Sequence, residues 1–114
     1  MLAAKYILTG AKNFARVEEK GQLFQSESFG VAVYQRGDKD FSRFGFIVSN
    51  KISPDAVQRN RIKRALKEAI RQNWIDVVYG LDAVFLAKPV SLRKSTVDLM
   101  QETKETLIKI KILK

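Results

Sequence analysis

The sequence predicts a single α+β domain, a small sandwich of helices and a β-sheet with the element order α-β-β-β-α-β-α. Its 114 residues are enough for one hydrophobic core and too few for two. Hydrophobic residues make up 46% of the chain, which argues against disorder. The spacing of apolar residues changes from helical to alternating and back, with no repeat or low-complexity linker. Residues 1–114 are therefore predicted to form one domain.

The first half of the chain is predicted to form one short helix followed by three strands. The helix covers residues 13–20, and the strands lie at residues 23–24, 29–34 and 44–48. Asn13 is a candidate N-cap and Gly21 a candidate stop for this helix. Large apolar side chains alternate with smaller or polar ones in the second strand, as in a half-buried strand. A polar turn around Gly37 joins the last two strands, so we expect an antiparallel meander.

The second half is predicted to form a helix, a strand and a helix. The elements are a helix from Ser53-Pro54-Asp55 to residue 73 or 74, a strand over residues 82–87, and a helix after Ser95. Proline suits the first helical turn because its missing N–H would be unpaired there, although a start nearer Arg59 is also open. Asp98 completes a capping-box-like pair with Ser95. The apolar face of the last helix is predicted to consist of Val97, Met100, Lys104, Leu107 and Ile108.

Charge and missing residue types narrow the range of functions. Lys and Arg outnumber Asp and Glu by 21 to 12, and the net charge of +9 favours a polyanionic partner. Without Cys or His, the chain has no thiol or imidazole for zinc binding, nucleophilic attack or acid–base catalysis. Asp38 and Asp40 flank a lysine in a turn and are interpreted as loop residues. We expect no catalytic residue, no metal site and no bound cofactor in this chain.

Anionic membranes are polyanionic as well, so the net charge alone does not choose between a membrane and a nucleic acid. No stretch approaches the roughly 20 apolar residues that a membrane span needs. The apolar run within residues 1–8 is too short and too weakly flanked by charge for a secretory signal. These observations predict a soluble, cytoplasmic protein.

A basic helix carries more than half of the net charge. Six cations and one acid in residues 59–71 give +5: Arg59, Arg61, Lys63, Arg64, Lys67 and Arg71 against Glu68. At about 100° per residue, one side of this helix is apolar, with Ile62, Ala65, Leu66, Ala69 and Ile70. The opposite side is polar, with Asn60, Lys63, Arg64, Lys67 and Arg71. A helix that is merely solvated would interleave acids, so the pattern predicts a surface for nucleic-acid phosphates.

Two alternatives bear on this helix. A membrane-surface helix would need a bulky, free apolar side, whereas this side is rich in Ala and Ile and suits packing on the neighbouring strands. Asn60 has two open interpretations, a contact to a base edge, a sugar hydroxyl or a hydrated metal ion, and an N-cap for the residues that follow. The helix therefore predicts no membrane partner and leaves the role of Asn60 open.

Residues 58–69, with the sequence QRNRIKRALKEA, are similar to the RNR signature of the bacterial ribonuclease P protein family. The agreement in order and spacing extends to residues 13–21, 43–51 and 82–89. The resemblance implies a fold like that of the second domain of ribosomal protein S5. It also implies a left-handed βαβ crossover around the signature helix, an exception to the right-handed rule.

The resemblance implies that the chain is the protein subunit of an endonuclease that processes tRNA. This enzyme is a hydrolase made of RNA and protein. In this family the RNA and its bound Mg²⁺ cleave the precursor, and the protein binds the catalytic RNA and the 5′ leader of precursor tRNA. The expected partners are ribonuclease P RNA and precursor tRNA, with one protein copy in the holoenzyme and self-association of the free protein left open. A structured-RNA-binding module with no part in cleavage would share the fold, the basic helix and the charge.

The resemblance also assigns site residues. Those expected to contact RNA are Lys51, Arg59, Asn60, Arg61, Lys63, Arg64, Lys67 and Arg71. Those expected in a leader cleft between the first helix and the sheet are Phe14, Val17, Tyr34 and Phe46, because aromatic rings stack on splayed bases. Glu18 and Ala32 depart from the family, which often has an aromatic residue at each position, although Tyr34 is expected on the same strand face as Ala32. Phe14 is equally compatible with a core position.

Overall fold

Three α-helices and four strands follow one another in the predicted order over residues 2–114, the part of the chain that the computed structural model describes. The helices are α1 (Ala11–Lys20), α2 (Ala56–Gln72) and α3 (Thr96–Lys109). The strands are β1 (Gln22–Gln25), β2 (Phe29–Gln35), β3 (Arg43–Ile47) and β4 (Leu81–Ala87). The predicted α+β class and the order of its elements are confirmed.

The four strands form one mixed sheet in the order β1-β2-β4-β3. β2 runs antiparallel to β1 and to β4, whereas β3 runs parallel to β4. The predicted three-stranded meander is therefore wrong for β3, because β4 lies between β2 and β3. Residues 83–85 of β4 are fully buried on both faces, which suits a central strand, and α2 supplies the crossover that a parallel pair needs. The left hand of this crossover stays a prediction.

The sheet separates two apolar layers. On one side, residues such as Phe29, Phe44 and Phe85 pack in a core that includes Leu66 of α2 and Leu107 of α3. Alternate strand residues face the other side, where α1 lies. The buried members of that smaller layer are Leu8, Val17, Ala32 and Val84, with Phe14, Tyr34, Ile47 and Leu86 partly buried against them. Thus α2 and α3 cover one face and α1 covers the other.

The start of α1 differs from the prediction. Gly10, with a φ of +91°, is the N-cap, and Asn13 lies inside the helix. The Asn13 side chain donates to the Thr9 carbonyl (2.8 Å) and accepts a hydrogen bond from Arg16 (2.7 Å), so it does not cap the helix. Gly21 ends α1 as predicted, because its N–H donates to the Val17 carbonyl and a Cβ there would collide with that oxygen.

Both later helices have the side-chain caps that the sequence predicts. Asp55 accepts a hydrogen bond from the Val57 N–H (2.9 Å), so α2 begins at the earlier of the two starts left open. The Ser95 hydroxyl accepts one from the Asp98 N–H (3.0 Å) at the start of α3. Each cap satisfies a backbone donor that the first helical turn leaves without a partner.

The predicted apolar face of α3 is largely wrong. Its buried residues are Leu99, Thr103, Thr106 and Leu107, whereas the side chains of Val97 and Ile108 are 74% and 50% exposed. Thr103 can lie in the core because its hydroxyl donates to the Leu99 carbonyl (2.6 Å) within the helix. A pattern that counts only apolar residues does not detect a threonine whose polar atom is satisfied locally.

Glu102 of α3 holds the turn between β1 and β2. Its carboxylate accepts hydrogen bonds from the Ser28 N–H (2.8 Å), the Ser28 hydroxyl (2.6 Å) and the Ser26 hydroxyl. Burial alone would raise the pKa of Glu102, but these hydrogen bonds outweigh it, so the pKa lies below its ordinary value. The fold therefore favours the ionised carboxylate.

Glu102→Gln is expected to lower the free energy of unfolding at pH 7 by about 1–3 kcal/mol, because the serine donors lose a charged acceptor. A depressed pKa stabilises the fold above the unfolded value, near 4.5, and that stabilisation is lost as pH falls through the folded pKa. Urea unfolding between pH 7 and pH 3 should thus show the difference between the two proteins shrinking at the acid end. A difference that is the same at every pH would contradict this role of Glu102.

Candidate nucleic-acid interface

The packing of α2 fixes which of its sides meets the solvent. The predicted apolar side is buried throughout, with Ile62, Ala65, Leu66, Ala69 and Ile70 each at most 2% exposed. On the opposite side, Asn60 and Arg64 are exposed, and Lys63 and Lys67 are half-buried. We call these four residues the basic face. Lys51 is also exposed, in the turn that precedes α2.

Two arginines of the signature are engaged within the protein. Arg59 donates from Nη1 to the Ser53 carbonyl (2.8 Å), in the segment that leads into α2. Arg61 donates to the carbonyls of Leu92 (3.3 Å) and Lys94 (3.0 Å), in the segment before α3. Both guanidinium groups thus stabilise the fold beside the basic face.

Asn60 and Arg71 differ in how far the protein itself uses them. Asn60 lies inside α2, and Asp55 is the cap, so the interpretation of Asn60 as an N-cap is wrong. Arg71 donates to both carboxylate oxygens of Glu68, and this hydrogen bonding lowers the pKa of Glu68 and raises that of Arg71. The charge of Arg71 is therefore offset locally, whereas Asn60 presents its amide to solvent.

Phe46 does not lie in the predicted cleft. Its ring stacks on Phe85 at 5.5 Å, and the Lys67 ammonium lies 5.8 Å from its centroid, so Phe46 faces α2. Successive strand residues point to opposite sides of a sheet, and in β3 it is Gly45 and Ile47 that face α1. The assignment of Phe46 to the leader cleft is therefore wrong. Its ring lies beneath Lys67 of the basic face.

The surface beside α1 consists of half-buried Phe14 and Tyr34. The Phe14 ring lies against Gly45, where a Cβ would come within 2.6 Å of Phe14 Cζ. Val17 is 0% exposed, so it belongs to the core and not to a cleft wall, which corrects its predicted role. Tyr34 lies on the same side as Ala32, as predicted, and the Arg16 guanidinium is 5.5 Å from its ring centroid.

A buried carboxylate surrounded by arginines adjoins this surface. Asp82, at 0% side-chain exposure, accepts hydrogen bonds from Arg43 (2.9 and 3.0 Å) and Arg36 (2.5 Å), and Arg16 lies 3.7 Å away. Arg36 also donates to Asp38 (3.0 Å), a hydrogen bond that raises the pKa of Arg36 and lowers that of Asp38. Sequence reasoning missed this network. The available signal was an acid within an apolar strand, since a buried carboxylate needs partners.

Within residues 2–114, no helix combines the length and apolar character that crossing a membrane requires. In the same range, no His, Cys, Asp or Glu residues come together in a group that could hold a metal ion. The carboxylate of Asp82 accepts its hydrogen bonds from arginines, and that of Glu102 accepts its hydrogen bonds from serines.

Comparison with known proteins finds relatives that match nearly the whole chain. Two proteins described as ribonuclease P protein component are similar in sequence. The one from Pseudanabaena sp. (strain PCC 6903) is 30% identical over 113 residues, covering 99% of this chain and 97% of that protein. The one from Clostridium kluyveri is 35% identical over 103 residues, covering 89% and 90% respectively.

Solved structures show the same relationship. The RNase P protein of Staphylococcus aureus superposes with a TM-score of 0.88 at 25% identity, covering 96% of this chain and 98% of that one. The RNase P protein of Thermotoga maritima gives a TM-score of 0.80 at 25% identity, covering 90% and 96%. The family model of ribonuclease P matches residues 2–111. With nearly the whole chain matched in sequence and in fold, the chain belongs to the ribonuclease P protein family.

Proposed function

We propose that this chain is the protein subunit of a ribonuclease P holoenzyme, which binds the catalytic RNA through the basic face of α2. One observation carries the proposal: in a chain of this family, α2 is anchored by a fully buried apolar side and presents Lys63, Arg64 and Lys67 on the other. Lys63 and Lys67 are one turn apart, a spacing at which like charges repel. RNA phosphates would remove that repulsion and release counterions on binding.

The proposal assigns cleavage to the RNA and to Mg²⁺ bound there, and assigns binding and positioning to the protein. Protein-based phosphodiester hydrolysis by two metals would require convergent carboxylates. Here the Asp82 carboxylate is surrounded by arginines and that of Glu102 by serine donors, which supports structural roles for both. The product would be mature tRNA 5′ ends, made in the bacterial cytoplasm.

The 5′ leader of precursor tRNA is proposed to lie beside α1. Phe14 and Tyr34 offer half-buried rings on which unpaired bases can stack. Arg16, with a side chain 38% exposed, is fixed between Asn13, Tyr34 and Asp82 and can meet a leader phosphate. This cation would offset the repulsion between a phosphate and the exposed carboxylate of Glu18.

Reconstitution tests the proposal directly. The protein is added to a well-folded bacterial ribonuclease P RNA at near-physiological salt, and cleavage of precursor tRNA is followed. We expect cleavage to be clearly faster than with the RNA alone. At this salt concentration the repulsion between the two RNAs is incompletely screened, and the protein supplies cations that reduce it. Binding without stimulation would favour the alternative of a structured-RNA-binding module, and the proposal would then be wrong.

Glu18→Phe is expected to tighten binding of precursor tRNA that carries a leader by about tenfold, the lower part of the range for stacking a base on an aromatic ring. Affinity for mature tRNA should not change, so the ratio of the two affinities is the measurement. Glu18→Gln is the matched control, since it removes the charge without adding a ring. If both variants left the ratio at its wild-type value, the leader would not lie along α1.

A further inference from the structure

A groove of about 800 Å³ lies between residues 57–68 of α2 and the start of α3. Its lining includes Val57, Asn60 and Arg64 from α2 and Thr96 and Met100 from α3, with Ala65 beneath them. Sites for small organic groups commonly occupy about 300–1,000 Å³. All four residues of the basic face line this groove, which is distinct from the cleft beside α1 on the other side of the sheet.

The groove is held open by contacts of the protein itself. Arg61 extends from α2 to the carbonyls of Leu92 and Lys94 and so fixes α2 against the segment that leads into α3. Ala65, which also lines the groove, is fully buried and contributes only a methyl group. A site whose walls are fixed before binding loses little conformational entropy when a ligand enters.

The groove combines apolar surface with polar and charged side chains. Val57, 72% exposed, and Met100 provide apolar surface that helix packing does not use fully. Among residues 2–114, no hydrogen bond or ion pair uses the side chains of Asn60 or Arg64, in contrast to Arg59, Arg61 and Arg71. The amide of Asn60 can donate to and accept from the edge of a base, and the free guanidinium of Arg64 can bind a phosphate. The apolar wall can pack against the face of the base.

We infer that this groove binds one unpaired nucleobase of the RNA partner, with the sugar-phosphate backbone lying over the basic face. The inference rests on the proposed function and extends it from phosphate contacts to a contact with a base. Glu68, one turn after Arg64 on α2, also lines the groove and carries a carboxylate, so a phosphate is favoured beside Lys63 and Arg64 and the uncharged base inside. The charge of the surrounding helix favours RNA over an apolar peptide as the occupant.

Two valines provide a matched test, since each is the second residue of its helix and each is about three-quarters exposed. Val57 lines the groove, and Val97 of α3 does not. The groove variant is Val57→Ala combined with Met100→Ala, and the control is Val97→Ala. Both are compared with wild type for binding to ribonuclease P RNA alone and to precursor tRNA alone, which identifies the RNA that supplies the base.

The groove variant is expected to bind one of the two RNAs about tenfold more weakly with an unchanged salt slope, since apolar contact is lost and no phosphate contact is. The control should stay within about twofold of wild type. Chemical modification of Watson–Crick edges should show one unpaired base that wild type protects and the groove variant leaves reactive. Asn60→Ala should expose the same base.

The outcomes separate the two hypotheses. Wild type that stimulates cleavage, beside a groove variant with wild-type affinity and the same protected bases, would overturn the groove inference and leave the proposed function intact. Wild type that does not stimulate cleavage would overturn both. If wild type and the groove variant have equal unfolding midpoints, a loss of affinity reports the groove and not the fold. If the groove variant has a lower midpoint, Asn60→Ala decides, because the Asn60 side chain is exposed.

Discussion

Replacing Lys63, Arg64 and Lys67 together by alanine is expected to weaken binding to ribonuclease P RNA by at least about 1,000-fold. The reason is that hydrogen bonds to charged groups contribute about 1.5 kcal/mol or more each, and this change removes three cations from one rigid face. The slope of log K against log salt should fall by about 2 to 3, since each lost phosphate contact contributes roughly 0.7–0.9. Filter binding or fluorescence anisotropy at several salt concentrations measures both quantities.

The matched control removes three exposed lysines outside α2, those at positions 39, 104 and 109. It changes the net charge of the protein by the same amount, so only the place of the charge differs. The basic-face variant should also be as stable as wild type or slightly more so, because the repulsion between Lys63 and Lys67 is removed. Equal losses of affinity and of slope in the two triple variants would mean that overall charge, not this face, attracts the RNA.

Asp82→Asn is expected to lower the free energy of unfolding by about 3–5 kcal/mol, the range for removing one partner of a buried ion pair. The asparagine would leave Arg43 and Arg36 without the carboxylate that they share, and the Arg36 side chain is only 11% exposed. Urea unfolding at pH 7 gives the midpoint and the slope from which this free energy is obtained.

Asp38→Asn serves as the control for this prediction, because Asp38 pairs with the same arginine but its side chain is 49% exposed. Its loss should cost much less stability than the loss of Asp82, as for other solvent-exposed ion pairs. The contrast isolates burial as the cause of the large effect. If the two substitutions lowered the free energy of unfolding by similar amounts, burial would not be the cause of the effect at Asp82.

The regular spacing of α2 made it the most predictable element. All five residues predicted for its apolar side are buried, because the helical period alone determines which residues share a side. The neighbours of β3 were not predictable in the same way. β3 pairs with a strand that begins at Leu81, far along the chain, and nothing within residues 43–47 distinguishes that partner from β2. Pairing between distant strands is decided by the burial of the whole sheet.

The same distinction applies to the interface. The basic face follows from spacing within one helix, and the structure presents Asn60, Lys63, Arg64 and Lys67 to solvent as predicted. The hydrogen bonds of Arg61 are to carbonyls about 30 residues further along the chain, so a local sequence pattern does not predict them. Phe46 was assigned to the wrong side of the sheet. The alternation of side chains along β3 shows which residues share a side, but it does not show which side α1 covers.

The central position of β4 has a consequence for synthesis of the protein. A nascent chain emerges from the ribosome in sequence order, and β4 is the last strand to appear. Until residue 87 has emerged, β2 and β3 lack their common neighbour, and the apolar side chains of Phe29 and Phe44 have no completed sheet to join. Unpaired edges of this kind promote aggregation of partly made chains. We therefore expect that, before β4 has emerged, the sheet can form on the ribosome only as far as the β1–β2 hairpin.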